Sequence, residues 1–442
     1  MRTHDAIIVG GGPAGLSAAH ALHRAGVTDI VVLERESEAG GVPRHCHHPG
    51  FGFSQYYWPH RGPAYARRLR RGAAQTSIRT NASVVALEPG GVLTVATPEG
   101  LEDLTGRAVL LATGVRETPR SARLVSGERP WGVLTTGALQ QFLHLAGVRP
   151  CRRAVIVGTE WVSFSALLTL RRAGIQSVAM IEAGARITAP RPGDWVSRWM
   201  FGTPVLTGTR VVRVLGREVV EGVEVERDGT RWVLPCDAVV FTGGFVPEVA
   251  LVREGHLELD PGTAGPVIDQ YWRCSDPAYF AAGNVVRPVE TSGVVGREGA
   301  AAGRAMAAAL GGAVSAPERR VRLRVHGPLR YVYPQCIALP GESPGGLMPR
   351  ARASRAANGT LRLVCNDVEV WRRRVSTLPE RRIRLPGHRI RTAGLQSVDV
   401  YLEEPAPQRR SSENGVQAPL SKRPSAPPSS RRERPDRAGA RW

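Results

Sequence analysis

Lysine is almost missing from this chain: Lys422 is alone among 59 basic residues, so the net charge of +20 is an arginine charge. A charge of that size ordinarily raises nucleic acid as a partner. Here the arginines are spread through an Ala/Gly/Arg/Pro-rich chain and no nucleic-acid module accompanies them, so compositional bias is the simpler cause and no nucleic-acid partner is expected. Attraction for anionic substrates or for an acidic partner stays open. Cysteine is sparse too. The six (46, 151, 236, 274, 336 and 365) form no Cys-x-x-Cys pair, which argues against a sequence-local redox disulfide and fits free thiols in a reducing cytoplasm. No apolar run approaches the ~18 residues of a membrane span. The first strand begins within five residues of Met1, so no secretory signal is expected and a cytoplasmic location is. What remains is 442 residues, 42% hydrophobic, with room for about three ordinary domains.

What is present starts at Asp5-Ala-Ile-Ile-Val-Gly10-Gly-Gly12-Pro13-Ala14-Gly15, followed by a helical stretch and then Ile30-Val-Val-Leu-Glu34. This is a strand, a glycine turn, a helix and a second strand capped by an acid. Gly10 permits the tight turn, Gly12 lets the backbone approach a pyrophosphate, and Gly15 lets the helix pack on the strand. The helix N-terminus presents free N–H groups and a positive dipole end to the anion. Glu34 can accept hydrogen bonds from a ribose diol. A lone glycine pattern is weak, but strand, helix and acid fall where dinucleotide binding requires them.

Further motifs follow in order. Val109-Leu-Leu-Ala112-Thr113-Gly114 and Ala238-Val-Val-Phe-Thr242-Gly243 are strands ending in Thr-Gly; Tyr279-Phe-Ala-Ala-Gly283-Asn284 precedes a helix read as starting near Gly299. In this order the elements resemble the two-dinucleotide-binding-domain flavoproteins of the pyridine nucleotide–disulfide oxidoreductase type, over roughly residues 5–310. The resemblance implies FAD as cofactor, with Gly10, Gly12, Pro13, Ala14, Gly15, Glu34, Arg35 and Gly41 around its ADP half. Thr113 and Gly114 would line the middle, and Gly283 and Asn284 the ribityl chain. The helix from about Gly299 would face the flavin N1–C2=O edge. Asn284 replaces the commoner Asp and keeps hydrogen bonding without the charge.

The implied fold class is α/β: a Rossmann-like FAD-binding domain (1–118 and 236–312) with an inserted NAD(P)-binding-like domain (119–235). In the insert, Ala154-Val-Ile-Val-Gly158-Thr-Glu160-Trp-Val-Ser163 departs from the pattern. Glu160 stands where a second glycine belongs, and a carboxylate there repels a pyrophosphate. Glu182 would favour NADH over NADPH by bonding a 2′-hydroxyl. Two readings stay open: an NAD(H) site, or a domain kept for packing or for a partner. Residues 313–404 alternate in polarity with period two, as in Val321-Arg-Leu-Arg-Val and Leu361-Arg-Leu-Val-Cys, with Asn366-Asp367 as a hairpin turn. A small antiparallel β domain is expected there. Residues 405–442 carry seven prolines and nine Arg/Lys against three acids, the composition of a disordered basic tail.

The stretch Arg44-His45-Cys46-His47-His48-Pro49-Gly50-Phe51-Gly52 is the most unusual. Metal binding, a redox thiol and a lining for the flavin are the competing functional readings, beside a loop merely rich in histidine. No metal site is expected, because neighbours in an extended loop point different ways and no second ligand cluster is evident. Cys46 lacks a local disulfide partner. The lining reading makes His45, Cys46 and His47 the candidate catalytic residues, for proton transfer or tuning of the flavin. This run, with Gly62-Pro63-Ala-Tyr65, Ala112-Thr-Gly-Val-Arg116-Glu117 and Gly283-Asn284, is similar to bacterial partner subunits of glycerol-3-phosphate dehydrogenases. It is more distantly similar to the large subunits of opine oxidases, hydrogen cyanide synthase and amino-acid dehydrogenases. That resemblance implies either an FAD-dependent oxidoreductase acting on a small-molecule substrate, or an electron-relay subunit without a substrate site. In both cases the implied redox partner is a further subunit carrying flavin or an iron–sulfur cluster.

Overall fold

The computed structural model describes residues 2–189, 201–341 and 348–405. Its first sheet has Arg2–Val9 at the centre, paired in parallel with Ile30–Leu33 on one side and Gly100–Leu111 on the other. Ala6, Ile7, Ile8 and Val9 are all buried, the continuous apolar run of a strand covered on both faces. The long strand Gly100–Leu111 carries two neighbours on its far edge. Its start pairs antiparallel with Val92–Thr97, and its end pairs in parallel with Tyr279–Ala281. Residues from both ends of the first 310 are thereby brought to the same sheet edge.

The first helix, Pro13–Arg24, follows the glycine turn directly. Against it lies the last helix, which runs from Ser292 to Leu310. This corrects the sequence expectation of a start near Gly299. Gly299 sits inside the helix, where a Cβ would collide with the Ala14 carbonyl oxygen, and Gly303 meets Ala18 in the same way. Gly299 is therefore a packing glycine that brings two helix backbones together, and it does not face the cofactor site. Its glycine-rich neighbourhood looked like a helix start, whereas the helix begins after Thr291.

A second parallel sheet contains Arg153–Val157, Gln176–Ile181, Ala238–Phe241 and Val133–Thr135, with the helix Trp161–Arg172 packed on it. The antiparallel pair Val115–Glu117 and Phe245–Pro247 carries the chain out of the first sheet and back. Residues 319–403 form two β-sheets around a core that includes Leu361, Leu363, Val398 and Val400. Asn366 and Asp367 both have positive φ (47° and 62°) and join Ala357–Cys365 to Val368–Thr377. The antiparallel expectation needs one correction: Val398–Glu403 runs parallel to Arg319–His326 while antiparallel to Ala357–Cys365. It inserts between strands distant in sequence, and alternating polarity encodes a face without encoding direction. The disorder expected for 405–442 concerns residues that, apart from Pro405, lie outside the described ones. No described helix is long and apolar enough to cross a membrane.

Candidate active site

The glycine turn, the His/Cys loop, the Thr113-Gly114 strand end, the inserted unit and the C-terminal β-sheets all open onto one cleft of about 1910 Å³. At its head, Gly10 has φ +109°, a conformation side chains resist. Gly12 has ordinary dihedrals (φ −83°, ψ −170°), and a Cβ there would find no protein atom nearer than Gly41 Cα at 4.0 Å. Glycine is thus not needed at 12 for its own fold; the unfilled space belongs to the cleft. Gly15 differs, because a Cβ would strike the Gly10 carbonyl oxygen. Pro13, Ala14 and Gly41 line the cleft beside this turn. Glu34 is buried, with Oε2 accepting from the Gly11 N–H and Oε1 from the Glu36 N–H, each at 3.0 Å. Arg35 lies exposed at the rim.

Further along, Thr113 Oγ1 donates to the Glu248 carbonyl at 2.7 Å, and Gly114 (φ +78°) faces open space. Asn284 lines the cleft, but its amide is stapled to Glu290: Oδ1 accepts from the Glu290 N–H at 2.8 Å and Nδ2 donates to the Glu290 carbonyl at 3.2 Å. One N–H and one lone pair of the side chain are left over. Gly283 is buried with φ +82°, packed on Ala14 and Val295 rather than forming the wall. Thr291, Ser292 and Val295 bring the N-terminus of the last helix to the cleft, with no acid in the first turn and no side-chain cap. Free N–H groups at such an end favour partial negative charge.

The His/Cys loop divides. His45 lines the cleft, is buried, and its Nε2 has no hydrogen-bond partner. Burial lowers its pKa to about 4, with Arg44, His144 and His47 adding repulsion. The ring is therefore neutral near pH 7. Cys46 also lines the cleft, but its thiol donates to Gln140 Oε1 at 3.0 Å, and burial raises its pKa to about 12. It is a protonated anchor to the inserted unit, and reactive thiolate chemistry does not suit it. His47 is turned away from the cleft. Its ring stacks on His144 at 3.9 Å, and its carbonyl accepts from Arg172 at 2.5 Å. Two of the three expected catalytic residues thus tie the loop to the inserted unit. His48 Nδ1 is within 2.9 Å of the Pro49 carbonyl, and no group of three metal-binding side chains occurs among the described residues.

All six cysteines are buried, and burial raises the pKa of each. In native protein at pH 8, a colorimetric thiol reagent is expected to label none within minutes and six after denaturation. Rapid labelling of one native thiol would restore the redox-thiol reading.

In the inserted unit Glu160 folds inward over the glycine turn. Its Oε2 accepts from Ser163 Oγ at 3.0 Å and from Thr242 Oγ1 at 3.2 Å, and its carboxylate lies so close to Gly243 that a Cβ there would collide with it. Glu182 is equally engaged, with Thr159 and with the Gly184 N–H at 2.8 Å. Motif reading missed two contributors. Gln140 receives the Cys46 thiol and donates to Ser165 Oγ at 2.8 Å. The C-terminal region, residues 319–403, supplies Arg330, Tyr331, Arg352 and Arg382 to the cleft wall, which no local pattern announces.

The model of the pyridine nucleotide-disulphide oxidoreductases matches residues 4–309. The chain belongs to this family. It is 30% identical to an opine oxidase subunit of Rhizobium meliloti (strain 1021), over 43% of this chain and 42% of that protein. It is 27% identical to the alpha subunit of sarcosine oxidase from the same organism, over 72% of this chain and 30% of that protein. The chain thus spans less than half the length of either relative. A ferredoxin–NADP reductase of Saccharopolyspora erythraea is 28% identical over 64% of this chain and 84% of its own. Among solved structures, thioredoxin reductase of T. acidophilum superposes with a TM-score of 0.60 at 20% identity, over 70% of this chain and 99% of that one. This last likeness concerns the fold.

The residues present fit FAD. The glycine turn leaves a side-chain-free cradle at Gly12, Glu34 closes the second strand, and His45 leaves a buried nitrogen unpaired on the same wall.

Proposed function

We propose that electrons enter and leave the flavin of this protein through the cleft, from a small substrate or a partner subunit, while the nucleotide turn of the inserted domain is closed by Glu160. The single observation that carries this reading is the Glu160 carboxylate held by Ser163 and Thr242 against Gly243. A pyrophosphate would meet that charge where the family's glycine pattern offers backbone N–H groups. The names of two relatives describe subunits, which supports a partner for this chain as well.

In this reading Gly10, Gly12, Pro13, Ala14 and Gly41 bind the pyrophosphate region of FAD, with Glu34 and Arg35 at the adenosine ribose. Thr113 and Gly114 line the middle of the cofactor, and the remaining amide capacity of Asn284 serves the ribityl chain. The helix N-terminus at Ser292 favours negative charge at the flavin edge. FAD, when bound, supplies a centre that accepts and releases electron pairs or single electrons. His45, neutral with Nε2 unpaired, takes or gives one proton at that atom. Cys46 and His47 hold the loop in place for it.

A second reading, NADH as the reductant, is favoured by Glu182 at the end of Gln176–Ile181, the position of a ribose-binding acid. Its carboxylate is already engaged by Thr159 and Gly184, so the first reading is preferred. Anaerobic titration with NADH tests the choice: the flavin absorbance is expected to persist, and stoichiometric bleaching would overturn the proposal.

A further inference from the structure

Four arginines and two glutamates meet behind the far end of the cleft. Glu298 is on the last helix, and its Oε1 accepts from Arg287 Nη2 at 2.6 Å and from Arg350 Nη1 at 3.2 Å. Arg287 is fully buried, donates to the Gly283 carbonyl at 3.2 Å, and lies 4.0 Å over the Tyr333 ring. Glu290, just before that helix, is within 3.3 Å of Arg352 Nη2, 3.4 Å of Arg382 Nη1 and 3.8 Å of Arg287 Nη2.

Arg350, Arg352 and Tyr333 come from the C-terminal sheets and Arg382 from the loop just before the strand Ile383–Arg384; the glutamates, Arg287 and Asn284 belong to the part of the chain the family model covers. Arg350 and Arg352 are two apart on one strand and so share a face. Through the staple between Asn284 and the Glu290 backbone, whatever holds Glu290 also holds the turn at 283–285 and the N-terminus at Ser292. A buried carboxylate must be compensated, and here most of the compensation comes from another sheet system. Four guanidinium groups against two carboxylates leave two positive charges at this wall, with Glu290 and Arg352 on the cleft surface.

We propose that the C-terminal domain is a clamp on the flavin site: Arg352 and Arg382 are positioning residues that fix Glu290, and the surplus positive charge they bring raises the tendency of the bound flavin to accept electrons. This rests on the FAD assignment. It gives a role to a domain with no catalytic constellation of its own.

The test uses the full-length holoprotein and two readouts, the FAD dissociation constant from reconstitution and the flavin midpoint potential. Arg352→Ala is expected to weaken FAD binding about tenfold, the usual size for a lost charged hydrogen bond, and to move the potential to more negative values. Arg352→Lys restores much of both. Glu290→Gln keeps the shape and the backbone staple while removing a negative charge, and moves the potential the opposite way. Should Arg352→Ala not fold, Arg382→Ala, whose side chain is 39% exposed, carries the same prediction at smaller size. A potential unchanged in the arginine variants overturns the clamp, even if melting temperature drops, because the tie is then structural only. Shifts of the same sign for Glu290→Gln and Arg352→Ala overturn it too. Parent protein that binds no FAD would overturn the assignment beneath it instead, a result distinct from either.

Discussion

Gly12→Val is expected to give a folded protein that binds FAD roughly ten- to a hundredfold more weakly than the parent. At position 12 the dihedrals suit any residue and the nearest protein atom to an added Cβ is 4.0 Å away, so valine costs the fold little. The added carbon atoms instead occupy the space where the cofactor's pyrophosphate approaches the backbone. Overpacking of this kind costs about 1–3 kcal/mol, roughly ten- to a hundredfold in affinity. Gly15→Val serves as the contrast: its Cβ would strike the Gly10 carbonyl, so that variant should fail to fold at all. Melting curves and FAD absorbance, measured together, separate the two. Unchanged FAD affinity in folded Gly12→Val protein would mean the cofactor lies elsewhere.

Glu160→Gly is expected to raise nucleotide affinity above that of the parent. The substitution removes the carboxylate from above the turn and leaves Ser163 Oγ and Thr242 Oγ1 paired with each other at 2.6 Å, so no buried hydroxyl is orphaned. A like charge about 4 Å from a pyrophosphate oxygen costs between about 1 kcal/mol in bulk water and about 4 kcal/mol at the dielectric typical of a protein surface. NADH affinity should therefore rise about ten- to a hundredfold over the parent, read by calorimetry. No gain would show that something other than Glu160 closes the site.

The glycine turn, Glu34 and the Thr-Gly strand ends were legible because each is a local demand of backbone geometry on sequence, and such demands keep fixed spacing. The departure at Glu160 was legible for the same reason. Whether Glu160 would swing out or fold in was not, since that depends on Thr242, 82 residues away. The His/Cys loop misled in part. Residue types suggested proton transfer at three positions, but partners on the inserted unit decide the direction of two side chains: Gln140 takes the Cys46 thiol and His144 the His47 ring, while Arg172 holds the His47 carbonyl. Of the three, His45 alone lines the cleft without a side-chain partner, its Nε2 buried and unpaired. Gly299 misled because a glycine needed for helix–helix approach looks like one needed at a turn. The contribution of the C-terminal sheets was invisible, because alternating Arg-x-Arg strands do not say which face docks.

Closure of the inserted turn is decided by an anaerobic titration of the holoprotein, followed by flavin absorbance, with NADH and NADPH in one series and dithionite in another. Dithionite should bleach the flavin fully, showing that the centre is competent. The nicotinamides should leave it oxidised over minutes at millimolar concentration, because Glu160 keeps them from the turn. Stoichiometric bleaching by NADH within seconds would contradict that closure and make the inserted domain a working nucleotide site.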